Sequence, residues 1–289
     1  MVDFTGIKVK TMKIAVLSGK GGTGKTLISV NLARAIGDAH YIDCDIEEPN
    51  GHLFFNPNIQ NTENITVKLP VIDHDKCTAC RKCVDICRFN ALAMIGNKVK
   101  VFDMICHSCG ACSLLCPEKA ITEIDNRIGY IQHGMSKNVK VSSGFMDIGI
   151  ANGIPLIKNL LKESKDSKES VIDCPPGSAC SVMESIQNAD YCILVAEPSI
   201  FGAHNLQMVY DLVKMFKKKH GVVLNKIMDG INPSEDFCKQ HSLPIIASIP
   251  FDQDIAKTNS NGEIIVETDT KYKVLFDQIF LKIKEEVEK

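Results

Sequence analysis

Residues Lys13 to Thr26 read KIAVLSGKGGTGKT. Lys13 to Leu17 is a short apolar run of the kind that forms a buried strand, and it opens directly into Gly19 to Thr26, which satisfies G-x-x-x-x-G-K-[ST]. Leu27, Ile28, Leu32, Ala35 and Ile36 then recur at helical spacing. Strand, glycine turn and helix together are the setting in which this motif grips a phosphate chain. The glycines let successive backbone N–H groups face the phosphates, and the helix N-terminus adds its partial positive charge. In that setting Lys25 reaches the terminal phosphates and Thr26 the Mg2+ that accompanies them. A glycine-rich turn without a ligand is the alternative, and it gives no reason for the three parts to occur in order.

Further along, Tyr41-Ile42-Asp43, Val171-Ile172-Asp173, Tyr191 to Ala196, Gly221 to Asn225 and Pro244 to Ile249 read as strands with helical patterns between them. Such alternation specifies an α/β fold, a doubly wound and mostly parallel sheet covered on both faces. The 289 residues, 45% of them hydrophobic, are enough for one large domain or two moderate ones, which excludes a lone small module. With 33 Lys+Arg against 35 Asp+Glu, and Lys217 to Lys219 the single tight basic run, there is no charge footprint for nucleic acid or an acidic membrane surface. Nowhere do eighteen apolar residues run together, and Met1 to Lys13 lacks the apolar core of a secretory signal, so a cytoplasmic, reducing location is expected.

Eight of the thirteen cysteines fall between Cys77 and Cys116. In a reducing compartment such bunching points to metal rather than to disulfides. Cys77, Cys80, Cys83 and Cys87 are spaced C-x2-C-x2-C-x3-C, and Cys106, Cys109, Cys112 and Cys116 repeat the pattern 29 residues later. Two-residue separations let a tight loop point successive sulfurs at three corners of a cuboidal cluster, while the fourth corner needs a distant residue. Zinc is the alternative, although zinc sites usually pair two C-x-x-C knuckles across a longer gap. The segment resembles the bacterial two-cluster ferredoxins. That resemblance implies one 4Fe-4S cluster on Cys77, Cys80, Cys83 and Cys116 and a second on Cys87, Cys106, Cys109 and Cys112. The segment departs from the family at Arg88, where proline usually follows the fourth cysteine. Residues 72 to 125 carry seven basic and seven acidic side chains, so no strong steering of a charged redox partner is implied.

Lys20 together with Lys25 makes the signature K-G-G-x-G-K-T, and with it the chain resembles the deviant Walker A ATPases that include MinD, ParA and the nitrogenase iron protein. The resemblance implies an ATP-dependent homodimer, with Gly19, Lys20, Gly21, Gly22, Thr23, Gly24, Lys25 and Thr26 on the nucleotide. Lys20 would contact the nucleotide of the partner subunit and offset charge as an arginine finger does elsewhere. By the same match Asp45 of Asp43-Cys44-Asp45 positions the attacking water, while Thr26, Asp43 and Asp173 serve Mg2+. Gly177 senses the terminal phosphate, and Asn225 and Pro250 line the nucleotide edge. Asp and Asn at strand ends are also common turn formers, and their order along the chain is what favours the site.

The expected organisation is a MinD-like P-loop NTPase in two parts, residues 1–70 and 127–289, with a small α+β ferredoxin domain inserted at 71–126. The function expected is slow ATP hydrolysis whose dimer motion gates electron transfer to an unidentified redox partner protein. The alternatives are an iron-sulfur assembly or carrier ATPase, which usually has a late C-x-x-C absent here, and a partition-type ATPase with structural clusters. Cys174 and Cys180 near the second switch are weighed as donors to a bridging cluster, and Cys192 as core. Leu275, Phe276, Ile279, Phe280, Ile283 and Val287 make an apolar stripe expected to pack rather than to meet a membrane.

Overall fold

The computed structural model describes residues 11–289, the side chains of 165 and 166 excepted. The chain start that was read for a secretory signal lies largely outside the described residues. The strands are β1 (Met12–Leu17), β2 (Ala39–Asp43), β3 (Asn58–Ile72), β4 (Leu92–Ile95), β5 (Lys98–Val101), β6 (Ile121–Ser136), β7 (Val139–Met146), β8 (Glu169–Asp173), β9 (Tyr191–Ala196), β10 (Lys219–Ile227) and β11 (Ile245–Pro250). Nine of them form one sheet in the order β11-β10-β9-β1-β8-β2-β7-β6-β3, while β4 and β5 pair separately. Every pairing from β11 to β7 is parallel. The sheet is thus the mostly parallel α/β arrangement that the sequence leads one to expect.

Central strands buried on both faces need continuous apolar runs rather than alternation, and Ile14, Ala15, Val16 and Leu17 are all 0% exposed. Helices Lys25–Ile36 and Thr270–Glu288 pack in the same core cluster as β1, through Ile28 and Leu32 on one and Tyr272, Phe276, Ile279 and Ile283 on the other. Each such burial contributes roughly 1.5–3 kcal/mol. The C-terminal stripe is therefore a packing face. Among the described residues no helix is long and apolar enough to cross a membrane.

The chain divides into two compact units. The larger holds residues up to Thr62, Ile131–Phe145 and Ile157–Lys289, and the smaller holds Glu63–Tyr130 and Met146–Leu156. Residues 70 and 126, the borders read from sequence, fall inside β3 and β6. Both strands are longer than their sequence suggests. The run after the second cysteine motif extends over the 16 residues of β6. The smaller unit contains the antiparallel β4/β5 ladder, short helices at Lys82–Ile86 and Ala111–Leu114, and a core of Cys83, Leu92, Val99, Cys112 and Ile121.

Candidate functional site

β1 ends at Leu17, and the turn of residues 18–24 delivers the chain into the helix that starts at Lys25. Gly22 and Gly24 take left-handed backbone, φ 77° and 98°, which other residues reach only with strain. Position 24 is closed sterically as well, since a Cβ there would lie 2.2 Å from the Asn225 side-chain amide. That amide donates to the Thr23 carbonyl at 2.8 Å, so Asn225 at the end of β10 braces the turn itself. Lys226 Nζ donates to the Gly22 carbonyl at 2.6 Å, and the Gly177 N–H to the Ser18 carbonyl at 2.9 Å. Lys20 forms an ion pair with Glu197 of the same chain. Pro250 ends β11, paired with Ile227 of β10, the residue after Lys226.

β2 and β8 run in register with Asp43 opposite Asp173, and both side chains are 0% exposed. Lys25 Nζ donates to Asp173 Oδ1 at 2.9 Å and lies 3.6 Å from Asp45 Oδ2. Tyr41 donates its phenol hydrogen to Asp173 Oδ2 at 2.9 Å. The two Asp43 oxygens accept the N–H groups of Asp45 and Gly51, at 3.2 and 3.0 Å. Burial alone would lower the Lys25 pKa, but Asp173, Asp45 and Asp43 outweigh it and hold the ammonium above its ordinary value. Burial and the neighbouring Asp173 push Asp43 well above the carboxylate range, and burial raises Asp45 although Lys25 pulls it back. Three acidic side chains thus surround one ammonium. That deficit of positive charge on hard oxygen donors, one residue from the Thr26 hydroxyl, suits Mg2+.

In the smaller unit, Cys77, Cys80, Cys83 and Cys116 line one recess, with about 350 Å3 of free space including open solvent. Cys87, Cys106, Cys109 and Cys112 line another of about 370 Å3. The two motif copies also share their backbone. Ala79 and Ser108 (φ 56° and 52°), Arg81 and Gly110 (65° and 74°), and Asn90 and Lys119 (55° and 48°) are left-handed at a constant offset of 29 residues. Left-handed backbone costs a non-glycine residue roughly 1–2 kcal/mol, so its recurrence at matched positions calls for a local reason. Turns of this kind aim N–H groups inward. Ala91 donates to Cys87 Sγ and Ala120 to Cys116 Sγ, each at 3.3 Å, and Ser108 to Cys106 Sγ at 3.4 Å.

Among the described residues, no three His, Cys, Asp or Glu side chains converge tightly enough to hold a single metal ion. Around each recess the thiols enclose a volume instead, a donor set that fits a group of several metal atoms better than one ion. Burial raises the Cys83 thiol and pushes Cys112 up to about 11, so thiolate at these positions requires a nearby positive charge. Phe89 and His107 stack at 3.8 Å on the second recess, whereas Glu118 and Thr78 hold the equivalent positions on the first. Cys174 and Cys192 are buried and Cys180 is exposed, so Cys174 is packed in the core rather than presented beside Cys180. Roles for Tyr41, Glu197 and Lys226 were not apparent from sequence. A tyrosine within an apolar strand, two residues before an Asp, is the signal that was available, because a buried phenol needs a partner.

The profile of the family described as "CobQ/CobB/MinD/ParA nucleotide binding domain" matches residues 14–265. The chain belongs to that family, and it is a P-loop ATPase of the MinD/ParA type. It is 29% identical to the uncharacterized protein MJ0578 of Methanocaldococcus jannaschii over 98% of this chain and 99% of that one. A second protein of that organism, MJ0579, is 26% identical over 87% of this chain and 90% of its own length. The fold resembles the cell division ATPase MinD of Pyrococcus furiosus, with a TM-score of 0.59 at 22% identity over 96% of this chain and 98% of that one. It likewise resembles MinD from Pyrococcus horikoshii solved with Mg-ADP, with a TM-score of 0.57 at 23% identity over 96% of each chain.

Proposed function

We propose that this ATPase couples nucleotide-driven rearrangement to one-electron transfer, and that its eight bunched cysteines hold two 4Fe-4S clusters in an inserted ferredoxin domain spanning about residues 71–126. The observation that carries the reading is the sorting of the cysteines: each recess collects three thiols from one motif and the fourth from the other. Matched left-handed turns and N–H groups donated to sulfur support it further. When bound, such clusters supply one-electron transfer at a potential set by their surroundings.

In this reading Asp45 orients the attacking water, and Lys25 with the partner subunit's signature lysine offsets charge developing on the phosphates. Asp43, Asp173 and Thr26 serve Mg2+. Lys20 is held by Glu197 within its own chain, so reaching a partner's nucleotide requires that ion pair to open. ATP-dependent dimerisation is the event that would open it, and the redox partner is a separate protein.

The test is anaerobic purification with iron and acid-labile sulfide analysis, then potentiometry with and without Mg-ATP. Iron for two cubanes per chain and a potential or partner-reduction rate that shifts with Mg-ATP are expected. Zinc in place of iron would overturn the cluster assignment. Nucleotide-independent potentials and rates would instead favour a positioning ATPase with structural clusters, a reading with which the MinD-like fold is compatible.

A further inference from the structure

Tyr41 lies on β2 two residues before Asp43, opposite Val171, and its phenol reaches diagonally to Asp173 on β8. It is 0% exposed, and its ring meets Phe55 with centroids 4.8 Å apart. Gly51 makes room for the hydroxyl, since a Cβ at that position would stand 2.0 Å from it. The phenol is therefore wedged in place, with no freedom to follow a moving ligand. Its hydrogen bond occupies Oδ2 of Asp173 while Lys25 occupies Oδ1.

These two donors differ in their obligations. The Lys25 ammonium also faces Asp45, and it is the side chain that a phosphate claims in a glycine turn of this type. The Tyr41 phenol has the neutral Ser29 hydroxyl as a further hydrogen-bond partner and no competing charged one. The geometry points to Tyr41 as the positioning residue of the Mg2+ site: a neutral, immobile donor that fixes the plane of the Asp173 carboxylate, so that this side chain would be held ready for Mg2+ when Lys25 turns to the nucleotide. A charged donor there would compete with the cation for the carboxylate, and an apolar side chain would leave a buried oxygen unpaired. The same phenol abuts Gly51, whose N–H is bonded to Asp43, so both acidic residues are held from one point.

This inference rests on reading Asp173 and Lys25 as the metal and phosphate residues. The test uses the full chain and Tyr41→Phe, which keeps the ring and removes only the hydroxyl. ATP affinity is measured in EDTA and in Mg2+, and Mn2+ binding to the ATP complex is followed by EPR. Affinity in EDTA should stay within about twofold, while the gain on adding Mg2+ falls about tenfold and Mn2+ half-saturation rises about tenfold, the scale of one hydrogen bond to a charged group. kcat should fall by a similar factor, with KM for ATP at saturating metal nearly unchanged. Phe55→Leu, which loosens the ring and keeps the hydroxyl, should lower thermal stability yet preserve the Mg2+ gain. A wild-type Mg2+ gain in Tyr41→Phe, or equal losses with and without metal, would overturn the assignment. Absence of any Mg2+ gain in the unsubstituted protein would overturn the reading of Asp173 beneath it.

Discussion

At the scale of single residues, the glycine turn is defined by contacts as much as by motif. Gly24→Ala introduces a Cβ against Asn225 and places alanine at φ 98°, a backbone cost of about 1–3 kcal/mol before any clash. Nucleotide binding should weaken at least about tenfold, an effect of about 1.4 kcal/mol measurable by fluorescent-nucleotide titration. Wild-type affinity would show that the turn reshapes freely. A different residue governs behaviour in acid. His40 is buried, with Nε2 2.8 Å from Ser142 Oγ, and burial, with Lys140 and His133 adding to it, lowers its pKa to about 3. The unfolded chain protonates this imidazole near pH 6.5 and the folded one does not, so stability is complete above that pH and declines as pH falls toward 3. The slope should approach about 1.4 kcal/mol per pH unit from this group, and His40→Asn should flatten it in urea melts at pH 4 to 6. The sequence reading reached Lys25, Asp43, Asp45 and Asp173 because a motif or a strand end marks each of them. It did not reach Tyr41 or Glu197, because their meaning lies in partners 132 and 177 residues away along the chain.

At the scale of elements, the strands that surround the glycine turn were legible because burial on both faces leaves unbroken apolar runs, as in Tyr191 to Ala196. β3 was not. Residues 58–64 are exposed and, Ile59 apart, polar, and a strand held by its neighbour's backbone rather than by burial leaves no hydrophobic period to read. The cysteine motifs, by contrast, carry their geometry in their spacing. Because each recess takes its fourth thiol from the other motif, Cys116→Ala should empty the site of Cys77, Cys80 and Cys83 and spare the one that includes Cys87. About half the iron should be lost and one EPR component with it, while Cys87→Ala should remove the other component. The swapped outcome, with Cys116→Ala emptying the site of Cys106, Cys109 and Cys112 and Cys87→Ala that of Cys77, Cys80 and Cys83, would show that each motif fills its own site. At Ala79, with φ 56°, glycine relieves the strained backbone, so Ala79→Gly should stabilise the loaded domain by up to about 1 kcal/mol in anaerobic denaturant melts.

At the scale of the whole molecule, the two compact units have very different means of support. The larger owns a core in which Ile14, Ile28, Ile193, Phe276 and Ile283 are essentially fully buried, so its folding draws on ordinary hydrophobic burial. The smaller buries far fewer apolar side chains, the cluster around its cysteine motifs being Cys83, Leu92, Val99, Cys112 and Ile121, and it carries strained turns besides. A core of that size rarely stabilises a domain by itself, and small scaffolds of this kind lean on metal or cross-links. All thirteen cysteines are free, so no disulfide braces it, and under the proposed cluster reading metal would be the brace. Removing it should therefore unfold one unit and spare the other. After anaerobic chelation, amides of residues 72–121 should lose most of their hydrogen-exchange protection while those of β1, β8 and β9 keep theirs, and nucleotide binding should persist. Conversely, Lys25→Ala should abolish nucleotide binding and leave the iron content unchanged. Protection that survives chelation throughout residues 72–121 would mean that the small core suffices alone, whereas simultaneous loss in β1 would mean that the units fold as one. Coupling between them would then have to be sought in folding rather than in nucleotide-driven motion.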